Sequence, residues 1–347
     1  MSAPPLSAQA TKPLALTIGD PAGIGPDVTL LAFDARHREQ VPAFVYLGDK
    51  ATLEARATQL GLTVPIQTVG SPAEAVGLFT DALPILPIPV AVPVQAGKPE
   101  PGAQAAVTAS IEAAVAMVKS GEARAVVTNP ISKAHLYQAG FEFPGHTEYL
   151  AALATEEGQA PHPVMMLASD ILKVVPATIH IPLKDVPAAL TRDLLMKTIA
   201  ITDRDMRQRF GIARARIAVS GLNPHAGEDG SLGHEETEVI ATTIMAAQDA
   251  GLDVSGPYPA DTLFHAAARE RYDVAICMYH DQALVPFKTL AFEDGVNVTL
   301  GLPFVRTSPD HGTAFDIAGT GKANPRSLIE ALRLAGAITA EAPGPGA

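Results

Sequence analysis

Between Tyr279 and Ala314 the chain gathers a His-Asp pair (His280, Asp281), Lys288, Asn297, Arg306 and a second histidine, His311, among apolar runs that a sheet could bury. The two cations, Lys288 and Arg306, suit a compact anion such as a phosphate or a carboxylate. Three histidines share one context. His180, His225 and His280 each lie just beyond a short apolar segment, Leu172–Ile179, Arg216–Ser220 and Asp273–Met278, that reads as a strand. Three imidazoles delivered from three strand ends can hold a divalent ion and leave a position for water or a substrate oxygen. No local spacing such as H-E-x-x-H joins them, so separately satisfied loop histidines are the other reading. His37, His135, His162, His234 and His265 lack this context and read as surface or structural residues.

The elements that must position these groups alternate. Leu14–Ile18, Phe44–Leu47 and Ala125–Thr128 read as further strands, the last delivering Asn129, Ser132 and Lys133 at its end. Helices are expected over Gln104–Lys119, stopped by Gly121, over Asp193–Phe210, stopped by Gly211, and over Glu235–Gln248, stopped by Gly251. Alternation of this kind predicts an α/β protein with largely parallel sheets, and such sheets bind ligands where their strands end. The turn GDPAGIGPD, from Gly19 to Asp27, leads from the first strand into a helix, where free N–H groups could take an anion. It is neither G-x-G-x-x-G nor a Walker loop, and a plain strand-to-helix turn is the alternative. His146 and Thr147, in PGHTE, open another helix, where Thr147 could equally be an N-cap. Residues 82–94, with four prolines, read as an irregular or edge segment.

Composition bounds the function. The chain has 347 residues, enough for two domains, with 18% charged residues and a net charge of -12, which argues against a nucleic-acid surface. Any anionic substrate must therefore be drawn by local charge. The single cysteine, Cys277, sits inside an apolar run and reads as a buried structural thiol. The N-terminal residues show neither a basic n-region nor an apolar h-region, and the most apolar window is too short to span a bilayer. A cytoplasmic protein without membrane or nucleic-acid partners is expected.

The ordered motifs GDPAGIGPD, TNPISK, PGHTE, HIPL, GLNPHAGE, PADT, and YHDQ through HGTA resemble those of the 4-hydroxythreonine-4-phosphate dehydrogenase family of vitamin B6 biosynthesis. The resemblance runs from about Leu14 to Leu332. It implies two α/β/α domains of isopropylmalate dehydrogenase type with the active site in the interdomain cleft, in a homodimer whose active site lies at the subunit interface. The domains would be residues 13–135 plus 303–340, carrying the cofactor loop, and 136–302, with 1–12 and 341–347 as flexible tails. By the matching motifs, the metal ligands fall on His180, His225 and His280, holding one divalent ion (Zn, Mg or Co) per active site. Substrate contacts fall on His146, Thr147, Lys288, Asn297 and Arg306. The segment His311–Pro325 is similar to the cofactor loop of the decarboxylating dehydrogenases, which points to His311, Gly312, Thr313, Ala314 and Asn324 for NAD or NADP. Asp261, Asp281 and Lys288 are the candidates for general acid or base. The implied reaction oxidises a phosphorylated small-molecule substrate, 4-hydroxythreonine 4-phosphate, with loss of carbon dioxide. A same-family dehydrogenase of a four-carbon acid-sugar phosphate or of a cyclic dihydrodiol carboxylate is the nearest rival. An acyl or phosphate transferase and a non-catalytic binding protein are more distant ones.

Overall fold

The computed structural model describes residues 11–340 except 139, 142, 144, 156 and 157. Most of both expected tails therefore lies outside the described residues. Twelve strands occur among the described residues. The first five are β1 (Leu14–Thr17), β2 (Phe44–Gly48), β3 (Ile66–Thr68), β4 (Leu83–Pro87) and β5 (Val126–Val127). There follow β6 (Val164–Ala168), β7 (Lys173–Thr178), β8 (Ile217–Ser220) and β9 (Val254–Tyr258). The last three are β10 (Val274–Tyr279), β11 (Val296–Leu300) and β12 (Arg306–Pro309).

Contacts divide the chain into one unit of residues 1–161 with 302–347 and a second of residues 162–301. The helix His146–Leu153 packs in the first unit, where Tyr149 Oη donates to Glu112 Oε1 at 2.7 Å from the helix Gln104–Lys119. In the first unit the strand order is β3-β4-β2-β1-β5-β12, and every pair in it is parallel. β1 and β2 are buried at every position, as expected of strands covered on both faces. The helix Gln104–Lys119 covers them with Val107, Ile111, Ala114 and Val115, a three-and-four spacing that gives one apolar stripe. Residues 82–94 do not form an edge. They include β4, which lies between β3 and β2 with Leu83 and Ile85 fully buried, so their burial outweighs the prolines in this short ladder.

The second unit has the order β11-β6-β7-β10-β8-β9. Its β11-β6 and β6-β7 pairs are antiparallel, and the remaining three are parallel. Its core joins Leu167, Val174, Ala218, Cys277, Ala283 and Phe287. Burial pushes the Cys277 thiol up, away from thiolate character, in keeping with a structural role. The parallel neighbours β7, β10 and β8 matter most, since their ends carry His180, His280 and His225. β10 runs directly into a helix, His280–Ala291, whose N-cap is the strand's last residue, Tyr279. Among the described residues no helix is long and apolar enough to cross a membrane.

Candidate active site

In the first unit the parallel sheet delivers Thr128 just beyond β5 and Arg306 at the start of the adjacent β12, where Arg306 pairs in register with Val126. Arg306 is 4% exposed. Its Nε and Nη2 donate to Thr128 Oγ1 at 3.2 and 2.7 Å, and Nη2 lies 3.5 Å from His146 Nδ1. Burial lowers the guanidinium to about 10, which still leaves it charged at neutral pH. A guanidinium can only donate, so His146 Nδ1 is the acceptor and the ring proton belongs on Nε2. That Nε2 is sealed from solvent and makes no hydrogen bond within the described chain. Desolvation, then the Arg306 and Lys133 charges, hold the His146 pKa well below its ordinary value. The ring is thus a neutral donor beside a fixed cation, a pairing suited to an anionic oxygen.

The helix bearing His146 is capped at Gly145, so Thr147 is a residue of the first turn and not the N-cap. A Cβ on Gly145 would stand 3.2 Å from Lys133 Nζ and 2.7 Å from Glu148 Oε2, which keeps this position free of a side chain. Thr128 and Lys133 are additions to the residues expected at the site. Their signal was present in TNPISK, but nothing in that motif pairs Thr128 with Arg306 across 178 positions.

The glycine-rich turn and the late loop are joined in the same unit. Ile24 N–H donates to Thr313 O at 2.9 Å, and a Cβ on Gly23 would come within 2.8 Å of that oxygen. Asp27, fully buried, accepts from Gly319 N–H at 2.7 Å and pairs with buried Arg56, whose guanidinium also reaches Gly23 O and Pro21 O. Ala314 takes a left-handed φ of 42°, and His311 Nδ1 lies 3.1 Å from Gly312 O. Asn324 Oδ1 accepts from Arg326 N–H at 3.0 Å, so that side chain shapes the start of the final helix. Beside the turn, Asp20, Ser132, His135 and Gln104 line a small cavity of about 10 Å³, room for one water. Burial raises the Asp20 carboxyl against the opposing pull of Ala22 N–H and of His135, whose Nδ1 is 3.6 Å away.

In the second unit the histidines sit on unusual backbone. His180 and His225 have φ of 52° and 53°, and Ala226, Glu228 and Asp229 are left-handed too. Left-handed non-glycine residues cost free energy and collect at functional sites. The His180 and His280 rings lie 5.7 Å apart between centroids. His280 Nδ1 is 2.7 Å from Asp281 Oδ1, which leaves Nε2 for a ligand, the carboxylate-histidine arrangement common at metal sites. The donor type and this orientation fit a divalent ion. Among the described residues of one chain no group of three His, Cys, Asp or Glu side chains is placed to hold an ion. Thr178 Oγ1 donates to Met278 O at 2.7 Å and ties the ends of β7 and β10. Lys288 and Asn297 are half-buried, on the helix His280–Ala291 and on β11, and Lys288 Nζ stands 5.8 Å from the Phe292 ring centre. Asp261, in the turn Ala260–Thr262, is exposed.

Comparison with known proteins adds a family. The model of the pyridoxal phosphate biosynthetic protein PdxA matches residues 39–335. A curated 4-hydroxythreonine-4-phosphate dehydrogenase of Bradyrhizobium diazoefficiens is 56% identical over 339 residues, covering 95% of this chain and 98% of that one. The solved 4-hydroxythreonine-4-phosphate dehydrogenase of Klebsiella pneumoniae superposes with a TM-score of 0.84 at 36% identity, over 95% of this chain and 100% of that one. A terephthalate 1,2-cis-dihydrodiol dehydrogenase of Burkholderia xenovorans is more distant, with a TM-score of 0.63 at 26% identity over 93% and 97% of the two chains.

Proposed function

The chain belongs to the PdxA family of pyridoxal phosphate biosynthetic proteins, and from that premise we propose that it oxidises 4-hydroxythreonine 4-phosphate to 2-amino-3-oxo-4-phosphooxybutanoate. That β-keto acid then loses carbon dioxide to give 3-amino-2-oxopropyl phosphate. The observation that carries the substrate class is the buried Arg306 with the donor Nε2 of His146 beside it. A fixed cation and a neutral N–H donor recognise a phosphate or carboxylate oxygen, and the surrounding burial strengthens both. The higher likeness to the phosphate-substrate dehydrogenases than to the dihydrodiol dehydrogenase favours the same reading.

The residues divide the work. Arg306, His146 and Thr147, with Lys288 and Asn297, hold the charged ends of the substrate and so fix the reacting carbon. Thr128 keeps the Arg306 guanidinium in place. Asp281 orients the His280 ring, which leaves Lys288 and Asp261 as the groups to move the hydroxyl proton. His180, His225 and His280 would hold the divalent ion, with the ligands drawn from both subunits of a homodimer. Bound there, zinc, magnesium or cobalt would supply Lewis-acid polarisation, and His311–Ala314 with Asn324 would hold NAD or NADP, which would supply the hydride acceptor. Such a phosphorylated substrate does not cross membranes unaided, which supports a cytoplasmic reaction.

The test is nicotinamide reduction by the purified protein with 4-hydroxythreonine 4-phosphate, before and after chelation and with divalent ions restored. Reduction that chelation stops is the expected result. A protein that reduces neither nucleotide in any of these conditions would overturn the substrate assignment.

A further inference from the structure

We propose that Glu236 is the positioning residue for His225, an inference that rests on the reading of His225 as a metal ligand. From His225 to Asp229 the backbone makes five consecutive left-handed residues, with φ of 53, 52, 79, 43 and 53°. Four of them carry side chains. Such a run persists only where its surroundings over-determine it. Glu236 supplies the restraint at its entrance. The side chain is 3% exposed, and Oε1 accepts from Leu222 N–H and Asn223 N–H, both at 2.7 Å. Oε2 accepts from Asn223 Nδ2 at 3.0 Å, while Asn223 Nδ2 also reaches Glu235 Oε2 at 2.8 Å.

The fit is tight on the loop's inner side as well. A Cβ on Gly227 would stand 2.6 Å from Glu236 Oε2, and one on Gly221 would stand 3.1 Å from Oε1. Glu236 begins a π-helical turn, Glu236–Ile240, and turns of this kind recur at functional sites. Gln282 anchors the base of the loop: Nε2 donates to Gly221 O, while Oε1 accepts from Ser220 Oγ and from Met278 N–H. The strand end before His225 is therefore tied to the one before His280, and Glu236 sets how the chain leaves it. The carboxylate acts on His225 through the main-chain N–H groups of residues 222 and 223, the Asn223 side chain and its close approach to Gly227.

The experiment uses the full-length protein, stripped by chelation and titrated with Co²⁺ alone, read by visible absorption and by metal content after desalting. Variants Glu236→Gln, Glu236→Ala and His225→Ala are compared with the parent, alongside nucleotide binding measured by titration. Glu236→Gln keeps one acceptor oxygen for Leu222 and Asn223 and is expected to weaken Co²⁺ binding about tenfold. Glu236→Ala is expected to weaken it about 100-fold, the range found when groups supporting metal ligands are removed, with nucleotide affinity unchanged. Parent-like Co²⁺ affinity in Glu236→Ala, with only a lower melting temperature, would leave Glu236 a stabilising group and overturn the inference. If Glu236→Ala does not fold, the Gln variant decides on the same criterion. A His225→Ala protein that binds Co²⁺ like the parent overturns the ligand reading and the inference with it, whereas loss of metal in His225→Ala alone defeats only the role of Glu236.

Discussion

The two units hold their proposed site residues by opposite means. The first buries charge: Arg306 and the Asp27–Arg56 pair are sealed, and the neighbouring His146 is held neutral by desolvation and by cations. The second keeps His180 and His225 exposed and puts the constraint into the backbone, in left-handed residues held by buried carboxylate and amide hydrogen bonds. An anion subsite gains from low dielectric, which strengthens a fixed donor set. A metal ligand gains from direction instead, because an imidazole is already neutral and needs only to present one nitrogen. Loss of a group in the first unit should therefore appear in affinity and titration, and loss in the second in metal content.

The largest effect expected is that of His225→Ala, which should remove the bound metal and with it measurable turnover, while circular dichroism shows the fold retained. Turnover with metal still bound would break the comparison at its second half. Next comes Arg56→Ala in the first unit. Leaving Asp27 buried without its partner should cost about 3–5 kcal/mol of stability, measured by urea unfolding, and the late loop tied to Asp27 should bind NAD more weakly. A loss below about 1 kcal/mol would mean that water reaches this pair. Arg306→Ala should raise the substrate KM about 10- to 100-fold, from the loss of charge-assisted hydrogen bonds, and leave the nucleotide KM nearly unchanged. Equal changes in both constants would place Arg306 elsewhere in the reaction.

The smallest effect sharpens the contrast through pH. His146 has its folded pKa lowered, so between that value and the unfolded value near 6.5 the unfolded chain binds more protons. Its contribution to stability is present above 6.5 and is lost as pH falls toward the folded pKa. Melting temperatures of the parent should thus fall more steeply from pH 7 to pH 5 than those of His146→Gln. Parallel curves would show that His146 is not desolvated as described.

Much of this was legible in the chain. The helix Gln104–Lys119 was readable to the residue, because alanines and β-branched residues at helical spacing end at a glycine. The strands before His180, His225 and His280 were readable because short β-branched runs buried on both faces have few other uses. The helix at His280 was hidden by Pro286 inside it and by a start with no gap after β10. Likewise β4 was masked by its prolines.

Residue types and their order determined that the protein is α/β, that three histidines follow three strands, and which family's motifs it carries. Local propensity and covalent order suffice for such statements. Tertiary structure alone decided that Arg306 rests on Thr128 and His146, that Asp27 reaches Gly319, and that Glu236 holds the turn of His225. These are hydrogen bonds whose strength comes from burial, and burial is fixed only when distant segments pack.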